Sequence, residues 1–284
     1  MQISFRRSVV ATPPVPELPE VETIRRGLER LLAGHRIDGV DFRPEKRLRS
    51  VGKRPLEELE GQTVLRIDRH GKFLLSRLSG GGTLLVHLGM TGKILFAEAG
   101  EVERPHTHLV LDLDDGRQLR FSDPRRFGAL KVYAKGPVPD LRGYGLDALD
   151  AAFTDEHLAS LLAASSAPLK AFLLDQRKVA GLGNIYAVEA LWRAGLSPRR
   201  KARTTPKAKV PTLHAAIVAV LQDSLAAGGT SFNDYVDHIG QPGKFVADLA
   251  VFQREGEPCP RCGESVRRIV QSGRSTFYCG RCQR

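Results

Sequence analysis

Four cysteines near the C-terminal end, the only ones in the chain, form two closely spaced pairs. Two residues separate Cys259 from Cys262 and Cys279 from Cys282, and sixteen residues lie between the pairs. This spacing is typical of four thiolates around one structural zinc ion on two hairpin turns. Two disulfide bonds or idle thiols are the alternatives, although thiols in the cytosol stay reduced. We therefore predict one structural zinc, whose four ligands leave no open position for catalysis.

Charge and hydropathy narrow the class of protein. The 284 residues include 43 Lys and Arg against 32 Asp and Glu, a formal net charge of +11. This excess favours polyanionic partners, because neutralised phosphates release their counterions; a basic surface that only maintains solubility is the alternative. Hydrophobic residues make up 42% of the chain, which excludes a disordered or collagen-like protein. No apolar run reaches eighteen residues, so we expect a cytoplasmic protein without a membrane span.

Hydrophobic periodicity divides the chain into regions. Residues 1–15 show no period, and from Val21 apolar residues recur at the spacing of one amphipathic helix. Between about 37 and 133, short β-rich segments alternate with turn residues, which predicts an antiparallel sandwich or barrel. Helical spacing dominates after that, over about 154–163, 168–176, 184–195 and 210–227. The predicted divisions are an extension at 1–15, an N-terminal domain at 16–134, a linker at 135–150, a helical domain at 151–256 and a zinc finger at 257–284.

A glycine-rich turn precedes one of the predicted helices. Residues 178–187 read Lys-Val-Ala-Gly-Leu-Gly-Asn-Ile-Tyr-Ala, with Asn184 at the position of a helix N-cap. Backbone amides at such a helix start bind phosphate well, although many glycine turns only let two helices cross. The hairpin between the cysteine pairs carries Arg267, Arg268 and Arg274, which favours a nucleic-acid contact over a solvated charged face.

Three carboxylates crowd the predicted start of the first helix, in the stretch Pro16-Glu17-Leu-Pro-Glu20-Val-Glu22. Their favourable interaction with the helix dipole is a sufficient structural explanation. In a chain of net charge +11, however, carboxylates that face a DNA groove would repel phosphate. We therefore infer that they have a chemical role.

Several motifs of this chain resemble those of bacterial formamidopyrimidine-DNA glycosylase. In chain order they are Pro16-Glu-Leu-Pro-Glu-Val-Glu22, His70-Gly-Lys72, His87-Leu-Gly-Met90-Thr-Gly, Asp123-Pro-Arg125-Arg-Phe127-Gly, the glycine turn through Asn184 and the zinc finger. The resemblance implies an α+β fold, with an N-terminal helix and antiparallel β-sandwich followed by a helix-two-turns-helix domain and a C-terminal zinc finger. It also implies a monomeric, cytoplasmic DNA-repair enzyme that binds double-stranded DNA with oxidised bases in the cleft between its domains.

The resemblance assigns roles to individual residues. Pro16 is the expected nucleophile, a secondary amine that attacks C1′ and displaces an oxidised purine such as 8-oxoguanine or a formamidopyrimidine, before β- and δ-elimination cut the strand. Glu17 is the expected acid/base residue, with Glu20 as a supporting carboxylate. Lys72, expected on a strand, and Arg274 complete the implied catalytic set. The implied DNA contacts are Met90, Arg125 and Phe127, which fill the gap left by an extruded base, together with Lys170, Asn184, Arg274 and His106.

Residue types alone would predict only structural roles for some of these positions. Met90 and Phe127 would be core residues and Lys72 a solvated lysine on a strand. The segments Gly228–Phe232 and Gly240–Phe245 are expected to flank a lesion-recognition loop, following the resemblance.

One feature departs from the family pattern. The family's proline is the first residue after methionine removal, whereas fifteen residues precede Pro16 here. An internal proline nitrogen is an amide, so it cannot attack C1′. We hypothesise that translation starts at position 15, where a GTG codon would read as Val15, and that residues 1–15 are not native. The alternatives are an endonuclease VIII-like enzyme for oxidised pyrimidines, or a noncatalytic DNA-binding protein that keeps the extension.

Overall fold

The computed structural model describes residues 15–43, 48, 50–231 and 235–284. The expected tail up to residue 14 and residues 232–234, where the expected recognition loop begins, lie outside these residues. The α-helices are α1 (Leu18–Leu32), α2 (Asp155–Ala163), α3 (Leu169–Leu174), α4 (Asn184–Ala194) and α5 (Val210–Ala226). The strands are β1 (Ile37–Phe42), β2 (Ser50–Val51), β3 (Val64–His70), β4 (Phe73–Leu78), β5 (Thr83–His87), β6 (Lys93–Glu98), β7 (Thr107–Leu113), β8 (Arg117–Ser122), β9 (Ala129–Tyr133), β10 (Leu146–Asp147), β11 (Val179–Ala180), β12 (Val266–Gln271) and β13 (Arg274–Cys279).

Helix α1 follows from its sequence. Pro19 lies in the first turn, where its missing amide hydrogen is harmless, and Gly34 follows the last turn with φ at 91°. The apolar residues of the predicted stripe are buried in the core of the N-terminal half: Val21, Ile24, Leu28 and Leu32. The predicted amphipathic helix is therefore confirmed.

The N-terminal half is the predicted β-sandwich. One sheet has the strand order β1-β7-β8-β6 and the other β2-β9-β5-β4-β3. All pairs are antiparallel except β2 with β9, and the predicted turn at Asp114–Gly116 joins β7 to β8. Alternating apolar side chains from the two sheets form one core with the buried face of α1.

The predicted linker at 135–150 ends in ordered structure. Its residues Leu146 and Asp147 form β10, which pairs in parallel with β11 of the helical half. The buried carboxylate of Asp147 accepts hydrogen bonds from the amide of Gly71 at 2.7 Å and from Arg69 Nη2 at 3.0 Å. Because Arg69 and Gly71 belong to the β3–β4 hairpin, this ion pair ties the sandwich to the helical half.

The C-terminal half is helical, as its periodicity predicts. Helices α2 to α5 bury a second core, and strands β12 and β13 of the cysteine-bearing hairpin pack against it through Val266 and Phe277. Within the residues that the structure describes, no helix is both long and apolar enough to cross a bilayer.

Candidate active site and zinc centre

A cavity of about 350 Å³ lies where the two halves meet. Its lining includes six residues from both halves: Val15, Glu17, Lys72, Met90, Asn184 and Arg274. Pro16 is buried between two of these lining residues, just before α1. Residues far apart in the chain thus meet around the start of the first helix.

Glu17 occupies the N-terminus of helix α4. Its carboxylate accepts hydrogen bonds from the amides of Ile185 at 3.0 Å and Tyr186 at 3.5 Å. A Cβ on Gly183 would lie 2.1 Å from Glu17 Cδ, so only glycine fits beside the carboxylate. The first turn of α4 therefore binds the chain's own carboxyl group instead of the phosphate that the glycine turn favoured.

The predicted helix cap is displaced by one residue. Gly183 is the N-cap, and Asn184 is the first residue of α4. The Asn184 side chain instead donates to the carbonyl of Ser275 at 3.0 Å, on the zinc-finger hairpin. The prediction of Asn184 as the N-cap was wrong because the carboxylate of Glu17 already accepts the free amides of the first turn.

Burial shifts the pKa of Glu17. Its side chain is 3% exposed, and this desolvation raises its pKa, opposed by the positive charge of Lys72 and by the backbone amides of α4. Such an environment suits a carboxyl group to acid/base chemistry.

Glu20 lies at the centre of a buried polar network. Its carboxylate accepts hydrogen bonds from the amide of Glu17 at 2.8 Å, the amide of Thr230 at 2.8 Å and the hydroxyl of Tyr186. Tyr186 also contacts Ser224 Oγ at 2.6 Å and Thr230 Oγ1 at 2.7 Å. Burial and the nearby charge of Glu17 raise the pKa of Glu20 to about 7, against the hydrogen bond from Tyr186. Sequence analysis assigned no role to Tyr186, Ser224 or Thr230, although Tyr186 follows Asn184 in the quoted motif.

Lys72 enters the cavity from a turn, not from a strand as predicted. It follows Gly71, which lies between β3 and β4 and adopts φ 56°. A Cβ added to Gly71 would lie 3.2 Å from Ala180 Cβ, so the turn approaches β11 closely. Burial lowers the pKa of Lys72, while the negative charge of Glu17 raises it and the positive charge of Arg274 lowers it. Lys72 and Arg274 therefore lie near the buried carboxyl group of Glu17, and both line the same cavity.

Lys170 is placed differently from the expectation. Its side chain is 0% exposed, and Nζ donates to Thr276 Oγ1 at 2.6 Å and to the carbonyl of Ser275 at 3.1 Å. Burial lowers its pKa to about 8. The expected direct phosphate contact of Lys170 does not fit this placement, because its ammonium group faces the zinc-finger hairpin and holds the backbone next to Arg274.

The three expected intercalating residues lie on loops beside the cavity. Met90 is half-buried in the cavity wall, Arg125 is exposed, and Phe127 is 36% exposed with the Arg125 guanidinium 5.1 Å from its ring centroid. His106 is exposed as well, with φ at 63°. Phe127 and Met90 are therefore not the core residues that their residue types alone suggest.

A buried aspartate shapes these loops. The carboxylate of Asp123 accepts hydrogen bonds from Thr91 Oγ1 at 2.5 Å and from the amide of Gly128 at 2.7 Å, and Thr91 Oγ1 accepts one from the amide of Arg125 at 3.1 Å. The loop after Met90 and the turn through Arg125 are therefore bonded to each other. The motif that contains Asp123 did not predict this function.

The four cysteines come together and are free of disulfide bonds. Sγ of Cys259 lies 3.9 Å from that of Cys282, and Sγ of Cys262 lies 3.5 Å from that of Cys279. A tetrahedral zinc with bonds of about 2.3 Å places its sulfur ligands about 3.8 Å apart. The thiolates therefore fit one structural zinc, which ties the two ends of the hairpin together.

Comparison with protein families gives three matches in chain order. Residues 15–130 match the formamidopyrimidine-DNA glycosylase N-terminal domain, residues 144–236 match the formamidopyrimidine-DNA glycosylase H2TH domain, and residues 256–284 match the zinc finger found in FPG and IleRS. The second match begins within the predicted linker, close to β10. The predicted α+β architecture with a terminal zinc finger is confirmed.

Curated relatives and solved structures cover nearly the whole chain. The formamidopyrimidine-DNA glycosylase of Rhodopseudomonas palustris is 45% identical over 291 residues, which cover 95% of this chain and 100% of the relative. The crystal structure of MutM (Fpg) from Thermus thermophilus has a TM-score of 0.84 at 43% identity and covers 94% of this chain and 98% of its own. Lactococcus lactis Fpg in complex with abasic-site DNA has a TM-score of 0.84 at 32% identity, over 94% of this chain and 99% of its own. This chain belongs to the formamidopyrimidine-DNA glycosylase family.

Proposed function

We propose that this enzyme excises oxidised purines from double-stranded DNA and then cuts the strand, with the amine of Pro16 as nucleophile. The observation that carries the proposal is the position of Pro16, buried between two residues that line the cavity and followed by a carboxyl group with a raised pKa. Related proteins support the substrate class, since Lactococcus lactis Fpg structures contain Fapy-dG DNA and abasic-site DNA.

The chemistry requires an amine and an acid at the same cavity. The lone pair of a free Pro16 nitrogen would form a bond to C1′ while the bond between C1′ and the base breaks; the base would leave with the electrons of the broken bond and take up a proton, and the nitrogen would give up its own proton. Glu17 would protonate the ring oxygen of the sugar as the bond between C1′ and that oxygen breaks, which opens the ring and leaves an iminium ion. A base would then take the 2′ proton, the electrons of that C–H bond would flow toward the iminium, and the 3′ phosphate would leave with the electrons of its C–O bond; loss of the 4′ proton in the same way would expel the 5′ phosphate.

The cationic side chains near Glu17 fit the charge of the DNA. Lys72 and Arg274 line the same cavity, and both would attract the phosphates that flank the damaged nucleotide. Met90, Arg125 and Phe127 lie on bonded loops at its edge, where apolar side chains can fill the gap left by an extruded nucleotide. Because one chain supplies all of these groups, we also propose that the enzyme acts as a monomer.

The nucleophile requires a free N-terminus at Pro16. In the chain as given, the peptide bond to Val15 delocalises the nitrogen lone pair, and Val15 occupies part of the cavity. The family match begins at residue 15, and relatives align over their whole length with 95% of this chain. We therefore propose that the active enzyme begins at Pro16, after initiation at position 15 and removal of the initiating methionine.

Borohydride trapping on an 8-oxoguanine duplex tests this proposal. Residues 16–284 should form a covalent adduct with the DNA, whereas residues 1–284, verified intact by mass spectrometry, should bind without forming one. Pro16→Gly in the shorter protein retains an amine and should trap more weakly. Equal trapping by the intact longer protein would refute the role of Pro16, and binding without trapping by both would indicate a noncatalytic DNA-binding protein. A duplex with an oxidised pyrimidine serves as the substrate control.

A further inference from the structure

Helix α4 ends against the zinc centre. Trp192, in the last turn of the helix, donates its indole N–H to Cys259 Sγ at 3.4 Å. Arg261, which lies between the first two cysteines, stacks 4.3 Å from the Trp192 ring and donates to the carbonyls of Trp192 at 3.1 Å and Arg193 at 3.3 Å. The same helix that holds Glu17 at its first turn therefore holds the zinc finger at its last turn.

The thiolates of this centre carry more negative charge than the metal neutralises. Four thiolates and one Zn²⁺ sum to a net charge of −2, so hydrogen-bond donors to sulfur stabilise the loaded site. The amide of Cys282 donates to Cys279 Sγ at 3.4 Å, and the indole of Trp192 supplies a side-chain donor to Cys259. A donor on a helix also fixes where its acceptor sulfur lies, because α4 is anchored in the core of the C-terminal half through Val188 and Leu191.

We propose that Trp192 is a positioning residue of the zinc centre: its indole N–H holds the Cys259 thiolate in place for the metal and slows loss of zinc. The proposal depends on the zinc site and not on the nucleophile proposed for Pro16. It also makes the only tryptophan of the chain a reporter of metal occupancy, since its ring lies between a ligand sulfur and Arg261.

Zinc release from the full chain provides the first test. Trp192→Phe keeps an aromatic ring under Arg261 but removes the donor, and it should release zinc to a chromophoric chelator about tenfold faster than the wild type. Arg261→Gln is the matched comparison, because it removes the stacking cation and two hydrogen bonds to the end of α4 but leaves the indole N–H opposite Cys259, so it should release zinc more slowly than Trp192→Phe. Equal release by wild type and Trp192→Phe would overturn the proposal.

Cobalt substitution separates the hydrogen bond from simple packing. Removing a donor from a thiolate raises the energy of its electrons, so the sulfur-to-cobalt charge-transfer band of Trp192→Phe should move to lower energy. The band of Arg261→Gln should stay at the wild-type position. Faster zinc release without a band shift, or the same shift in both variants, would show that Trp192 acts only by packing and would overturn the proposal.

Fluorescence of the wild type gives a test that needs no variant to fold. Stripping zinc should free the hairpin from α4 and shift the emission of Trp192 to the red, and adding zinc should reverse the shift. Identical emission from the loaded and stripped protein would contradict the proposed contact. All three measurements are independent of DNA cleavage, so they stand whatever the outcome of trapping at Pro16.

Discussion

Helix α4 holds a buried group of acidic side chains at each end, and the two groups are stabilised in opposite ways. At its N-terminus, Glu17 and Glu20 accept hydrogen bonds from backbone amides and from the Tyr186 hydroxyl. At its C-terminus, four thiolates fit one zinc ion. Burial raises the pKa of both carboxyl groups, so they retain protons to higher pH, whereas cysteine thiols lose their protons on binding metal.

The difference explains why chemistry is confined to one end of the helix. Dipoles from amides and hydroxyls stabilise a carboxylate only partly against desolvation, so the pKa of both groups is raised, to about 7 in Glu20. A divalent ion with four ligands has neither a proton nor an open position to offer. The C-terminus of α4, at the zinc site, is therefore structural. The N-terminus of α4, at Glu17 and Glu20, is suited to acid/base catalysis.

Removal of a zinc ligand should have the largest effect. Cys279→Ser deletes one thiolate and should unfold residues 257–284, because zinc contributes roughly 10 kcal/mol to the folding of such modules. Elemental analysis should find no bound zinc, and a gel-shift assay should show loss of duplex binding. Arg281→Ala, an exposed change between the last two ligands, should keep both properties. A zinc-free Cys279→Ser protein that binds duplex normally would refute the assigned role of the metal.

Replacing the Glu17 carboxyl group with an amide tests the proposed acid at the N-terminus of α4. Glu17→Gln in residues 16–284 should slow excision of 8-oxoguanine by about 10² to 10⁴, since the general acid is lost. Single-turnover kinetics measure this step apart from product release. Glu29→Gln is the matched control on the same helix, because the Glu29 carboxylate accepts a hydrogen bond from the amide of Ile67 outside the cavity. Wild-type excision by Glu17→Gln would assign the acid to another group.

Breaking the ion pair between Arg69 and Asp147 tests whether the site around Glu17 also depends on a fixed charge. Asp147→Asn leaves the buried Arg69 without its full counter-charge and should cost about 3 kcal/mol of unfolding free energy. Strand cleavage should fall too, because Asp147 bonds the amide of Gly71, which precedes Lys72. Denaturant unfolding and cleavage assays measure the two effects. Asp150→Asn, an exposed neighbour, should show neither; equal losses in both variants would exclude a specific role for the ion pair.

Glu20 should give an effect on stability of similar size, seen only as a dependence on pH. Its pKa is about 7 in the folded protein against an ordinary value of 4.5, so the folded state binds more protons between these limits. The stabilisation is complete below pH 4.5 and is lost as the pH rises through 7, by about 3 kcal/mol in all. Urea unfolding at several pH values measures the slope.

Glu20→Gln should flatten that slope. Burial tends to raise the pKa of Glu22, but hydrogen bonds from Arg25, Arg69 and Arg26 lower it to about 2, so its stabilisation is lost only as the pH falls through that value. Glu22→Gln should therefore leave the slope between pH 4.5 and 7 unchanged. Identical slopes in the wild type and Glu20→Gln would show that another group titrates.

Local patterns predicted most of the elements because they act over short distances. The apolar stripe from Val21 and the proline in the first turn are sufficient to place α1, and the turn at Asp114–Gly116 predicts a hairpin. The cysteine spacing predicts the zinc site, because two short turns bring each pair of thiolates together.

The functional site was harder to predict where a partner lies far away in sequence. Lys72 looked like a strand residue, and Asn184 looked like a helix cap, but the first lies in a turn bonded through Gly71 to Asp147 and the second bonds the zinc-finger hairpin. Lys170 matched a phosphate contact, although its surroundings bury it completely. A residue type and its neighbours in the chain do not show which distant group will cap a helix or accept a hydrogen bond.

The sequence by itself determined the helices and strands of this protein, its zinc ligands and its family, since these depend on residue spacing within short segments. Only the tertiary structure decided which anion occupies the first turn of α4, that Glu20 is buried beside Tyr186 and Thr230, and that Trp192 meets a zinc ligand. The physical reason is that solvation and hydrogen bonding at these positions come from segments that only folding brings together.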